Sequence, residues 1–295
     1  MVMFKSLFIV ILGFSALSAH SAVQVRWLSV ASVLIEDGES KILFDPDWTR
    51  PNLLQMLNLS RLTSDEELVL KELKRLKVNA IDGIFTSHSH FDHGIDAPIV
   101  ARITNAVNYV DESSLRISNA YKDPRIKTLM IPADGVIQIG KFKITAIKRD
   151  HAEIGAIKMK FLPGEVPKDF DFRFWDYHEG QTWFYVIEHP EMSILIDQGA
   201  HCHSELIPKE MKSFDVLIQG VANRKSDQDI IKGYLTQYRP KIFIPVHFDN
   251  FFKDFNFEDE SELFGVHLDE LLGLIRKELP QVKVIKPKYG EVINL

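Results

Sequence analysis

A single cysteine, Cys202, stands in a chain of 295 residues. That count excludes an internal disulfide and any zinc site built from clustered thiolates. A basic surplus is missing as well: 35 Lys and Arg against 41 Asp and Glu leave a formal net charge of −6. A protein that grips a phosphate backbone wants a basic face, so no nucleic-acid partner is expected. No apolar run approaches the roughly 20 residues that span a bilayer. There is also no internal repeat at the level of sequence identity. What remains is ordinary globular composition, 45% hydrophobic and 26% charged, and a length that suits one large domain.

The longest apolar run, residues 7–17, lies at the N-terminus behind Lys5 and ahead of Ala19-His20-Ser21. A short positive region, an apolar stretch and small residues at the cleavage point read as a signal peptide over residues 1–21. The domain then occupies residues 22–295. Export to the periplasm or medium follows from this reading, and one thiol suits an oxidising compartment. Left uncleaved, the same run would bring the chain into contact with a membrane.

Past the leader, alternation predicts strands over residues 23–28, 32–36 and 41–44, with Asp37-Gly38 turning the first hairpin. Ser64-Asp65-Glu66-Glu67 reads as a capping box opening a helix to Leu76. Strands are predicted over 81–85 and 107–110, and helices over 97–103 and 112–120. Residues 136–148 form a hairpin. Residues 161–177 lack periodicity and read as a long loop rich in aromatic side chains, a feature that usually carries function. A strand pair over 181–188 and 192–196, a strand over 214–219, a helix capped by Ser226 to Tyr238, and a strand over 241–246 follow. A helix over 262–279 and a strand over 282–286 complete the chain.

The chemistry concentrates in Thr86-Ser87-His88-Ser89-His90-Phe91-Asp92-His93-Gly94. It leaves a predicted strand and enters a predicted helix, the place where α/β sheets present their sites. Side chains alternate in an extended segment, so His88 and His90 point the same way and can grip one ion. Asp92 and His93 come where the chain turns and can face a second ion. Imidazole with carboxylate suits zinc and similar divalent metals.

This stretch resembles the His-x-His-x-Asp-His signature of the metallo-β-lactamase superfamily. The resemblance implies an α/β fold, a four-layer αββα sandwich, with two divalent ions at one edge: zinc, with Mn2+ or Fe2+ as alternatives. His151, Asp197 and His247 each end a predicted strand, in the order the superfamily uses for its later ligands. By the resemblance, His88, His90 and His151 hold one ion, Asp92, His93 and His247 the other, and Asp197 bridges them. Such a pair, about 3.5–4 Å apart, activates a water. Asp92 and Asp197 would orient it, and His203, ahead of His201 and His178, would protonate the leaving group. Asp45 stands where the family has an aspartate that orients a ligating histidine.

The first strands and Val246-His247-Phe248 look similar to the ascorbate-6-phosphate lactonase-like branch and to N-acyl-phosphatidylethanolamine phospholipase D. That branch often has a histidine where this chain has Val30. The secreted zinc β-lactamases commonly have a cysteine where this chain has Asp197, which disfavours antibiotic hydrolysis. The expected activity is hydrolysis of an ester, lactone or phosphodiester, in a small or lipid-like substrate with an apolar portion. The aromatic loop over 161–177 would be its lid, with Phe248, Phe251 and Phe252 opposite. A metal-binding protein without turnover and a nuclease of the superfamily are the alternatives. The nuclease wants a basic groove that this charge balance does not supply.

Overall fold

The structure, a computed structural model, describes residues 23–151 and 161–295. The leader lies outside them. The first half builds β1 (Gln24–Ser29), β2 (Ser32–Glu36), β3 (Lys41–Phe44), β4 (Gly83–Phe85), β5 (Val107–Val110) and β6 (Lys127–Met130). The second builds β7 (Val136–Ile139), β8 (Phe142–Arg149), β9 (Thr182–His189), β10 (Met192–Asp197), β11 (Val216–Gly220), β12 (Ile242–Val246) and β13 (Lys283–Val284). A short β14 (Ile293–Asn294) returns to pair with β1.

Two seven-stranded sheets result, ordered β14-β1-β2-β3-β4-β5-β6 and β13-β12-β11-β10-β9-β8-β7. Each half repeats one plan. Hairpins make an antiparallel edge, as β1-β2-β3 and β7-β8-β9-β10. Crossovers then add parallel strands, as β3-β4-β5-β6 and β10-β11-β12-β13.

The sheets bury their facing sides together. Trp27, Phe44 and Phe85 share one core with Ile144, Tyr185 and Phe243. The Tyr185 hydroxyl donates to the Thr86 carbonyl across the interface at 2.6 Å. On the outer face of the first sheet, Val69, Leu73 and Leu76 of the helix Glu66–Leu76 pack with Leu34, Ile84 and Val100. On the outer face of the second, the helix Leu268–Glu278 buries Leu268, Leu271, Leu272 and Ile275. Alternation of hydrophobic side chains along strands and a period near 3.6 along helices give the αββα layers.

Three local expectations change. The helix Glu66–Leu76 is capped by Asp65, which accepts from the Leu68 amide, while the Ser64 hydroxyl donates to Asp96 instead. The last helix begins at Leu268, not Glu262, because Gly265 and His267 take left-handed φ values of 84° and 50° that no helix continues through. Glu262 stays outside it and accepts from the Leu268 amide. The helix from Ser226 to Tyr238 is interrupted by a π turn at Ile231–Leu235. There a Cβ on Gly233 would meet the Cys202 sulfur at 2.5 Å, so the one thiol is packed into that bend.

Candidate metal centre

The signature segment leaves β4 and is stitched into place by the second half of the chain. The Trp183 amide donates to the Ser87 carbonyl and the Ser89 amide to the Glu179 carbonyl. One helical turn, Phe91–Gly94, then swings Asp92 and His93 to the other side of His88. Asp45, at the end of β3, is fully buried. It accepts from the Ser87 amide and hydroxyl and sits 2.6 Å from His93 Nδ1. That contact leaves His93 Nε2 to face Asp92, the orienting role expected for Asp45.

Two groups of donors gather. His88, His90 and His151 form one, and Asp92, His93 and His247 the other. In the first, His88 Nε2 lies 2.9 Å from His90 Nδ1 and 3.1 Å from His151 Nε2. Three ring nitrogens converging at such distances cannot satisfy one another as donors and acceptors. They match the roughly 3.3 Å separation of neighbouring nitrogens around a tetrahedral zinc with bonds of about 2.0 Å. In the second, Asp92 Oδ2 lies 3.5 Å from His247 Nε2 and 3.8 Å from His93 Nε2. The groups are neighbours: the His88 and His93 rings lie 3.9 Å apart, centroid to centroid. The residues present therefore fit a divalent metal.

Electrostatics agree with ligand duty. Burial, then the neighbouring imidazoles and Arg149, hold His88 well below the ordinary histidine pKa. Burial is also the main cause at His90, whose pKa falls to about 4. At His93 burial is outweighed by Asp45 and Asp92, and the pKa rises. At Asp92 it is outweighed by His93 and His247, and the pKa falls.

This has a consequence for stability. The unfolded histidine titrates at 6.5, above the folded values of His88 and His90. At these two residues the unfolded chain binds more protons between pH 6.5 and about 4, so their contribution to stability falls as pH falls. His90 alone contributes on the order of 3 kcal/mol over that interval. His93 acts in the opposite sense: its contribution is complete below pH 6.5 and is lost as pH rises through its folded value. Asp47, Asp96 and Asp197, whose pKa values burial raises, act against His88 and His90 in this window. In chelated protein the urea midpoint of His90→Ala should therefore fall less than that of the wild type between pH 6.5 and 4. Equal falls in the two proteins refute this account.

His247 follows β12 directly with φ 58°, a left-handed value unusual away from glycine. Its amide donates to the Val30 carbonyl at 2.6 Å, which also accepts from the Trp27 indole at 2.8 Å. Val30 itself has φ 40°, and its amide donates to Asp249 Oδ2 at 3.1 Å. Two strained residues are thus tied together and to a buried carboxylate, the support such conformations need.

The donors floor a cavity of ≈ 250 Å³. Its lining mixes apolar side chains, Phe91, Phe161, Phe251, Phe252 and Leu263, with polar ones, Arg149, Gln198 and Asn223. No sequence signal marked those polar residues.

Two expected participants make other contacts. Asp197 is fully buried but belongs to neither donor group. Arg149 Nη2 lies 3.3 Å from its Oδ1, the Tyr234 hydroxyl donates to its Oδ2 at 2.9 Å, and the Gly199 amide donates to Oδ1 at 3.1 Å. A buried carboxylate takes the donors within reach, and here they come from β8 and the Tyr234 bend. His203 does not line the cavity; its ring sits 3.2 Å from Glu205, because the chain has already turned into the short helix Ser204–Leu206. His201 and His178 do not line the cavity either.

The aromatic loop is mainly packing. Phe170, Phe174 and Tyr177 are buried with Val30, Leu62 and Phe91, and the Tyr177 hydroxyl donates to the Leu62 carbonyl. Phe172 packs edge-on against Tyr121. Only Phe161 of the 161–177 span reaches the cavity, with Phe251 and Phe252 also in its lining; Phe248 is buried against Trp27.

The paired sheets and this histidine–aspartate floor define an αββα sandwich with a metal-binding edge. The chain belongs to the β-lactamase superfamily domain family, whose pattern it matches over residues 24–247. A protein of Pyrobaculum islandicum named as a metal-dependent hydrolase is 32% identical over 118 residues, 40% of this chain and 45% of that relative. The match thus spans less than half the length of that relative. Among solved structures, Igni18, a metallo hydrolase from Ignicoccus hospitalis, aligns with TM-score 0.57 at 16% identity over 92% of this chain and 97% of its own. The metallo-β-lactamase fold protein YhfI from Bacillus subtilis aligns with TM-score 0.58 at 14% identity over 92% and 99%.

Proposed function

We propose that this protein is a metal-dependent hydrolase that uses two divalent ions, zinc foremost, to open an ester, lactone or phosphodiester in a substrate with an apolar portion. The observation that carries the reading is the pair of adjacent donor groups on the floor of a cavity with aromatic side chains in its lining. Divalent metal held there supplies Lewis acidity and an acidified water. The chain's own residues do the rest. Asp45 keeps His93 Nε2 turned to the floor. Asp92, between His93 and His247, lowers the charge of the centre. The phenylalanines exclude bulk water and seat an apolar group, as ligand pockets commonly do.

The test is a panel of chromogenic phosphodiesters, lactones and esters of short and long acyl chains. Protein loaded with zinc, manganese or iron is assayed against it. Turnover of at least one class, abolished by chelation and restored by metal, is expected, with longer acyl chains preferred. Protein that carries about two ions and turns over nothing would be a binding protein of this fold, and the proposal would fail.

A further inference from the structure

Arg149 is the one Lys or Arg among the described residues that line the cavity. Its side chain is 1% exposed. A guanidinium offers five N–H donors. Here Nη1 donates to the His201 carbonyl at 3.2 Å and Nη2 reaches Asp197 at 3.3 Å, while Nε has no partner among the described residues. Asp197, which also accepts from the Tyr234 hydroxyl and the Gly199 amide, reaches only one end of the guanidinium. A buried guanidinium with an unmet donor favours a further acceptor, best an anionic one.

The seat is also built for this side chain. A Cβ on Gly199 would stand 1.6 Å from Arg149 Nη2, so only glycine lets the guanidinium lie against the turn after β10, and Gly199 lines the cavity too. The phenylalanines line the same cavity. The cavity thus offers both a buried cation and apolar surface.

We infer that the cavity selects an amphiphilic anion, an aryl or acyl group joined to a carboxylate, sulfonate or phosphate, and that Arg149 is the residue that recognises the anionic end. The inference rests on the proposed hydrolytic reading for its use of the cavity. Its test does not require turnover.

Two dyes form a matched pair: anilinonaphthalene sulfonate, and phenylnaphthylamine, which has the same aryl frame without the sulfonate. Binding is followed by fluorescence, with metal content and melting temperature measured on each preparation. Arg149→Gln should weaken the sulfonate dye roughly tenfold, the worth of one charged hydrogen bond, and move the neutral dye by less than about twofold. Phe251→Ala should weaken both. If Arg149→Gln fails to fold, Gly199→Ala serves, since its Cβ displaces the guanidinium while keeping the charge. It should shift the sulfonate dye in the same direction. A sulfonate-to-neutral affinity ratio that stays unchanged in the folded variants, wherever the dyes bind, overturns the inference. The two readings fail separately. Dye discrimination without hydrolysis of any panel substrate sinks only the hydrolase reading, and hydrolysis without dye discrimination sinks only the role of Arg149.

Discussion

On the proposed two-ion reading, replacing His88 by alanine should lower bound metal from about two ions to about one per chain, and replacing His247 should do the same from the other side. His88 belongs to one donor group and His247 to the other, and among the described residues no side chain is common to both. Each substitution leaves two of three donors in its own group and all three in its neighbour. The remaining ion keeps its site, but the charge stabilisation that the lost ion supplied, several kcal/mol, goes with it. Turnover should fall roughly a thousandfold in each variant. Elemental analysis beside the rate on the best panel substrate checks both parts. Either variant retaining wild-type metal content and rate would remove that histidine from the centre.

Removing a carboxylate from the floor's support should cost more stability than removing one from the floor. Asp249 is 1% exposed and lies 3.7 Å from Arg50, which in turn pairs with buried Asp47 at 2.8 Å. It also accepts from the Val30 amide and from the Tyr289 hydroxyl. Asp249→Ala leaves a buried guanidinium half compensated and a buried amide and hydroxyl without an acceptor. Breaking a buried pair from one side costs about 3–5 kcal/mol. The strained Val30–His247 link loses its anchor in the same step, so the second donor group should bind metal more weakly as well. Asp249→Asn keeps an acceptor for the Val30 amide and should recover part of both losses. Urea unfolding and a zinc titration measure the two effects. A loss under about 1 kcal/mol for Asp249→Ala would mean the cluster is not a support.

Much of this was legible in the chain. The i, i+2 spacing of His88 and His90 places both on one side of an extended segment. Asp92 and His93 fall on the following turn, and His151 and His247 end apolar strands. Periodicity of two located the hairpins, with a turn signal at Asp37-Gly38 for the first. Such features are local, because side-chain direction follows from backbone period over a few residues. The capping residue and the start of the last helix were misplaced by one and six residues, respectively, where a distant acceptor or a left-handed position overrode propensity.

The rest was decided by residues far apart in sequence. Asp197 ends β10 as expected, yet its carboxylate is taken by Arg149 on β8 and by Tyr234 beyond β11. The aromatic residues of 161–177 read alike in the sequence, but only Phe161 lines the cavity; Phe170, Phe174 and Tyr177 are buried with Phe91, and Trp175 is half exposed. Spacing says which residues are able to meet at the end of a strand. Which partner a buried charge takes, and which side of a loop is wet, depends on what the opposite half of the sandwich brings to the same place, and that is settled only when the two sheets close on each other.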